Sequence, residues 1–507
     1  MSERIKKISQ LQDSIEILDI LGTGDPEIKG IVYDSRHVDK DFAFFALKGV
    51  HVDGHDYLDE AIELGASVVV YSDEKMERKP GPYYIRVKDT RKALSPFSAA
   101  FYDYPSKEMT VIGVTGTDGK STTVSFIQQL IEMEGEKCGY LSTVSYKAGD
   151  EEVSNPFRQS TPEAPEIQRL MRDMVDKEME YAVIEATSHG LSPKNNRLGD
   201  VEFDAAVFTN LTHEHLEFHG TFEQYREDKC QLFRMLSDRF TDEELFFGVV
   251  NRDDPSADFF IEAAGEVPIY LYSMKNKEAD LYADSFDAGV DGTTFLLHTP
   301  GEKKELTLNI PALVNVENLL AAMTVSAEVL GIDTMDLVPH VPKLKGVKGR
   351  MTRVAGKQPF DVVVDYAHSP GSFEKVLPAL KALTEGKMIV VFGSAGERDV
   401  EKRSDQGEIA ADYGEILILT DEDPRLEDPM AILEDIAFGV NDKVRDESLF
   451  LIPDRRKALK KALDMAEEGD LVVALGKGHE SSIIYSDGPH PWNEQAVLEE
   501  LLRERGY

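Results

Sequence analysis

An apolar run at 111–115 passes directly into Gly116-Thr117-Asp118-Gly119-Lys120-Ser121-Thr122-Thr123. Glycines let backbone amides turn toward phosphate oxygens, the start of a following helix adds partial positive charge, and Lys120 adds a full one. A hydroxyl at Ser121 or Thr122 can reach Mg2+. Val114 stands where the strict phosphate-loop pattern has its first glycine, so the strand–turn–helix context carries the reading; the plainer alternative is a glycine-rich turn capping a helix. Glu185 ends a second apolar run at 181–184. A carboxylate there either holds Mg2+ against the loop or is an ordinary strand-end glutamate.

A third strand end leads into Thr209-Asn210-Leu211-Thr212-His213-Glu214-His215, with His219 close behind. The three histidines are either a metal cluster or one site residue with two surface or core neighbours, and spacing alone does not choose. Lys229, on a helical stretch at 222–236, reads by itself as a solvated surface lysine. Further on, one theme recurs five times: an apolar strand, then a polar turn. These turns carry Asp365-Tyr366-Ala367-His368, Gly393 to Asp399, Glu422-Asp423-Pro424-Arg425, Pro453, and Gly476-Lys477-Gly478-His479-Glu480. In open α/β sheets ligands bind outside the carboxyl ends of the strands, so such turns predict a shared rim.

The elements that must position these residues alternate between short apolar runs and amphipathic stretches, the pattern of α/β domains with parallel sheets. Candidate strands fall at 30–33, 42–47, 67–71 and 83–87, then 111–115, 181–184, 205–208 and 247–250, then 362–364, 388–392, 416–419, 449–452 and 471–475. Helices are expected at 57–64, 121–133, 222–236 and 316–330, with a β-rich stretch at 268–310. A chain of 507 residues suits about three domains, drawn at 1–107, 108–343 and 344–507. The net charge of −38 argues against nonspecific nucleic-acid or anionic-membrane binding. Two distant cysteines, Cys138 and Cys230, give no disulfide framework and fit a reducing cytoplasm. Residues 1–10 are polar, without a signal-peptide core, and no apolar run approaches the roughly 18 residues of a membrane span.

Taken together the chain resembles the Mur ligase family of bacterial peptidoglycan synthesis over about residues 28–495. The segments that carry the likeness are GVTGTDGKSTT at 113–123, EATSHGL at 185–191, FTNLTHEHLEFHGTFEQYREDK at 208–229 and NVENLLAA at 315–322. GRM at 349–351, DYAHSP at 365–370, EDPR at 422–425 and GKGHE at 476–480 add to them. DSR at 34–36 and Ser160-Thr161-Pro162 resemble the branch that adds the third stem-peptide residue to UDP-N-acetylmuramoyl-L-alanyl-D-glutamate. The fold implied is a three-domain α/β architecture, with a central P-loop ATPase domain and a C-terminal Rossmann-like domain.

The resemblance also implies residue roles. Gly116, Thr117, Asp118, Gly119, Lys120, Ser121 and Thr122 take the ATP phosphates, while Asn315, Arg350, Asp365 and His368 complete the ATP site. Ser121, Glu185 and His215 take Mg2+, and Lys229 matches a lysine carbamylated in the family. A carbamate supplies an anion where a bare ammonium repels the metal. Ser35 falls in the uridine pocket, and Ser160, Thr161, Thr187 and Arg197 line the UDP-sugar-peptide. Arg398, Asp423, Arg425, Gly476 and Glu480 take the incoming diamino acid, whether diaminopimelate, lysine or ornithine; Arg425 suits a carboxylate and Glu480 an ammonium.

The sequence departs from the family pattern in four places. Asp118 and Asp423 stand where asparagine is usual, Val400 where lysine is common, and Thr352 where glutamate is usual. Asp118 places a negative charge near the phosphates. Asp423 offers a charge suited to a second ammonium. The expected reaction is phosphorylation of the D-glutamate side-chain carboxylate, amine attack on the acyl phosphate, and closure that excludes water, in a monomer. Rival readings are a same-fold ligase with another substrate, or a nonenzymatic nucleotide-binding regulator.

Overall fold

The computed structural model describes residues 4–49, 52–157, 159–212, 216–241, 243–289, 291–354 and 356–507. Three large sheets follow one another along the chain. The first has five strands in the order Ile17–Leu21, Tyr83–Val87, Ala66–Tyr71, Phe42–Phe45 and Gly30–Val32. All its pairings are parallel except that of the edge strand Ile17–Leu21. That edge strand and helix Thr90–Phe101, capped by Asp89, were not anticipated. Ile17–Leu21 is short and alternates only weakly between covered and open positions, so its period-2 signal is faint.

The central sheet has eleven strands. Its middle runs parallel from Cys138–Leu141 through Tyr181–Glu185, Thr110–Thr115, Ala205–Phe208, Phe247–Asn251 and Ile269–Ser273 to Leu281–Gly289. Antiparallel hairpins extend both ends. The β-rich stretch expected at 268–310 is one of these extensions. Strand Thr110–Thr115 is buried almost throughout. Ile112 and Val114 face one core and Val111 the other, the alternation a strand covered on both faces requires. Helix Leu313–Leu330 packs on helix Lys120–Met133. It is apolar enough to span a membrane by composition, but 72% of it is buried inside the fold.

The third sheet has six strands, ordered Thr352–Arg353, Asp361–Asp365, Leu471–Leu475, Met388–Phe392, Ile416–Leu419 and Leu449–Leu451. Only Thr352–Arg353 is antiparallel. Asp365 is level with Leu475, Phe392 with Leu419, and Leu419 with Leu451. The carboxyl ends are therefore in line, and the polar turns share one edge.

Candidate functional site

Strand Thr110–Thr115 lies between parallel strands Tyr181–Glu185 and Ala205–Phe208, with Val114 level with Glu185 and Thr115 with Phe208. This register brings the phosphate loop, Glu185 and the Thr209–Asn210 turn to one place. Thr117 N donates to Asn210 O at 2.7 Å, and Asp118 N to Asn210 Oδ1 at 3.0 Å. Asp118 O accepts from Thr209 Oγ1 at 2.7 Å and Asn210 Nδ2 at 3.2 Å. The main chain of the loop is thus held by the Asn210 carbonyl and by the Thr209 and Asn210 side chains of the neighbouring strand end. Gly116 has φ 150°, and a Cβ there would lie 1.9 Å from Thr209 Oγ1; Gly119 has φ 81°, and its Cβ would lie 2.2 Å from Asn318 Oδ1. Glycine is required at both. Lys120 Nζ folds onto Thr117 O at 2.7 Å.

Glu185 is 3% exposed and accepts from Ser121 Oγ, Thr143 N and Thr143 Oγ1, each at 2.8 Å. A hydroxyl and a carboxylate converging at a phosphate loop are hard oxygen donors that fit Mg2+. His213 and His215 lie outside the described residues. His219 is buried: its Nδ1 is 2.7 Å from Asp228 Oδ2 and its Nε2 3.0 Å from Ser188 Oγ, so it braces helix Phe222–Ser237 against the Ser188 turn. Lys229 is 2% exposed, which overturns the reading of a solvated lysine. Its Nζ donates to Gly116 O at 2.5 Å and lies 4.6 Å from the Tyr225 ring centroid. Tyr225 Oη in turn sits 3.1 Å from Thr117 Oγ1.

Behind Glu185, Thr161 Oγ1 donates to Glu185 O at 2.9 Å and is 2.8 Å from Thr187 Oγ1. Arg197 donates to Thr161 O at 3.0 Å and pairs with Glu163 at 3.0 Å. Ser160 is half-buried beside them. This patch touches the first sheet's unit through Arg91–Glu163 at 3.2 Å and through Tyr33 Oη, which donates to Glu166 Oε1 at 3.1 Å. Ser35, two residues beyond Tyr33, donates to Glu60 at 2.8 Å.

On the third rim, the Asp365 carboxylate accepts from Met351 N at 2.7 Å and Ala367 N at 2.8 Å. Burial pushes its pKa up against the pull of Arg350. The Arg350 guanidinium lies 4.8 Å from the Tyr366 ring centroid, and His368 Nδ1 bonds Tyr366 O at 2.9 Å. His479 is held neutral, its pKa lowered to about 3 by burial and by Arg350 and Lys348. Lys477, fully buried, pairs with Asp423 at 2.8 Å and Glu480 at 2.5 Å. Burial raises the pKa of both Glu422 and Glu480. Glu422 Oε2 and Arg425 Nε are buried without a hydrogen-bond partner among the described residues. Arg455 donates to Asp421 O at 3.0 Å and Leu475 O at 2.7 Å while paired with buried Glu494, so it locks two rim turns together.

Three family descriptions match the chain in order: the Mur ligase family catalytic domain at 27–102, the Mur ligase middle domain at 114–326, and the Mur ligase glutamate ligase domain at 349–478. The UDP-N-acetylmuramyl-tripeptide synthetase of Borreliella burgdorferi is 44% identical over 505 residues, covering 99% of this chain and 98% of that one. The chain belongs to the Mur ligase family. The protein of the same name from Roseiflexus sp. is 46% identical, covering 95% of this Mur ligase and 96% of the relative. A solved UDP-N-acetylmuramoyl-L-alanyl-D-glutamate–2,6-diaminopimelate ligase superposes with a TM-score of 0.65 at 30% identity, covering 98% of this chain and 99% of that one. The three-domain Mur ligase fold, and membership of the tripeptide-synthetase branch of ligases, follow from these matches.

Within this Mur ligase the anticipated residues fall into two groups. Gly116 to Thr122, Glu185, Thr161, Thr187, Arg197 and Lys229 meet in the central unit; Arg350, Asp365, His368, Asp423, Arg425, Gly476 and Glu480 gather on the third rim. Asn315 is buried with Nδ2 donating to Pro311 O at 2.6 Å, and its Oδ1 accepts from Asn318 Nδ2 at 3.3 Å, while Asn318 Oδ1 accepts from Thr123 Oγ1 at 3.4 Å. Arg398 stands exposed on its turn. Asp423 is not an open charge for a second ammonium, because its Oδ1 already takes Lys477, shared with Glu480, and Ile484 N. Sequence reading missed Thr143, Tyr225, Lys477 as a site cation, Arg455 and Lys375. Lys477 stands inside the GKGHE segment without a role read from it, and each of the five has a partner distant in the chain.

Proposed function

We propose that this Mur ligase uses ATP to join a diamino acid to the D-glutamate of UDP-N-acetylmuramoyl-L-alanyl-D-glutamate, releasing ADP and phosphate, as a monomer in the cytoplasm. We draw its units at 1–107 for the UDP-substrate, 108–343 for ATP and 344–507 for the amino acid. The observation that carries this reading is the 2.8 Å meeting of Ser121 Oγ and Glu185 Oε2 at the mouth of the phosphate loop, backed by the Thr161–Arg197 patch.

The loop amides and Lys120 hold the triphosphate in this reading, with Asn315, Arg350, Asp365 and His368 on its outer side. Ser121 and Glu185, with His215, hold Mg2+, which when bound neutralises charge on the phosphate oxygens. Thr161, Thr187 and Arg197, with Ser35 at the uridine end, aim the acceptor carboxylate at the γ-phosphorus. The carboxylate oxygen attacks and ADP leaves. Positioning and charge neutralisation supply most of the rate. Lys229 is carbamylated in the working enzyme. A carbamate keeps one N–H on Nζ, so the bond to Gly116 O survives the modification. On the rim, the unpartnered Arg425 Nε and Glu422 Oε2 are a donor and an acceptor suited to a carboxylate and an ammonium of the incoming amino acid. Its free amine then displaces phosphate from the acyl phosphate.

Supplying ATP, the UDP-dipeptide, and diaminopimelate, lysine or ornithine in competition tests this. ADP should appear in step with tripeptide and depend on both the dipeptide and a diamino acid. ADP formation indifferent to either substrate would refute the assignment.

A further inference from the structure

Asp118 is the only acidic residue in the phosphate loop. Its main chain is fixed by Thr209 and Asn210, so its side chain is not needed to shape the loop. The carboxylate instead meets Lys375 Nζ, which also donates to Thr212 Oγ1 at 3.0 Å. Lys375 lies on helix Pro370–Lys381, directly after the Asp365–His368 turn. The pair therefore ties the third unit to the loop. Lys120 and Arg350 are the other cations acting on Asp118, and Asp365 is an anion of the same neighbourhood.

A bare carboxylate beside a triphosphate repels it, whereas a paired one adds no net charge. We propose that Lys375 is a positioning residue that cancels Asp118, so that the loop attracts ATP fully only when the third unit is docked. With helix Pro370–Lys381 in place, Asp118 is spent on Lys375 and Lys120 is left for the phosphates. With the helix swung away, Asp118 opposes Lys120 and the loop loses its pull. Nucleotide binding and docking then favour one another, reciprocally. This rests on the reading that ATP occupies the loop.

A charge-cancellation cycle tests it on the full-length enzyme. Lys375→Met should raise the KM for MgATP about tenfold with a smaller change in kcat, and Lys375→Arg should restore most of it. Asp118→Asn combined with Lys375→Met should bring KM back to within about threefold of the parent. An unchanged KM in Lys375→Met, or a double variant as weak as the single, overturns the proposal. Thermal melts check that each variant folds. Lys120→Met, followed by MgATP titration, separates the two claims: if it binds normally, the loop assignment itself fails; if it fails to bind while Lys375→Met binds normally, only the role of Lys375 falls.

Discussion

The phosphate loop and the third rim hold charged substrates by different means. At the loop, shape comes from the main chain: two glycines with positive φ and four bonds to the Thr209–Asn210 turn. At the rim, side-chain charges are paired in buried groups, Lys477 shared between Asp423 and Glu480, and Arg455 with Glu494. The phosphate-facing residues of the loop are consecutive in the chain. Those of the rim are spread between partners such as Lys477 and Asp423, 54 positions apart. A charge read from a local motif is therefore incomplete in both regions: Asp118 is paired with Lys375 and Asp423 with Lys477, partners far along the chain.

Breaking the main-chain device should have the largest effect. Gly119→Ala drives a Cβ into Asn318 at a left-handed position, and kcat/KM for ATP should fall about 100-fold or more in steady-state kinetics, because displacing the loop by a fraction of an ångström misaligns the transfer. Breaking the charge device should act on folding instead. Lys477→Met leaves Asp423 and Glu480 without their shared cation, and urea unfolding should show a loss of about 3 kcal/mol, with MgATP binding to the central unit kept. The gentlest probe is pH. Burial raises Glu422 and Glu480 above the usual carboxylate range, whereas for Asp118 burial is outweighed by Lys375 and its pKa falls below that range. Rim carboxylates therefore lose charge first as pH falls. As pH is lowered, the KM for the diamino acid should therefore rise before the KM for MgATP changes, read from steady-state kinetics of both substrates across a pH series. Parallel changes in both would erase the distinction between the two regions.

Much of the fold was readable because parallel strands buried on both faces are continuous apolar runs: 205–208, 388–392, 416–419 and 471–475 appear with unchanged bounds. The edge strand Ile17–Leu21 was not readable, since one side lies open and its pattern is diluted. At the site, the loop and Glu185 were legible from strand–turn context. Lys229 was not legible as a buried group, because only packing against Tyr225 and Gly116 distinguishes it from any helix lysine. Thr143 and Lys375 were invisible for the same reason: each matters through a contact that forms only when distant segments meet.

Arg455 fastens the main chain of the turns after two separate strands, from beneath and out of reach of solvent. Those turns therefore form one stiff platform. A Mur ligase built this way can exchange one amino-acid substrate for another by changing what stands on the platform, with no need to redraw the loops themselves, so altered selectivity should be reachable through single side-chain replacements at 398 or 425.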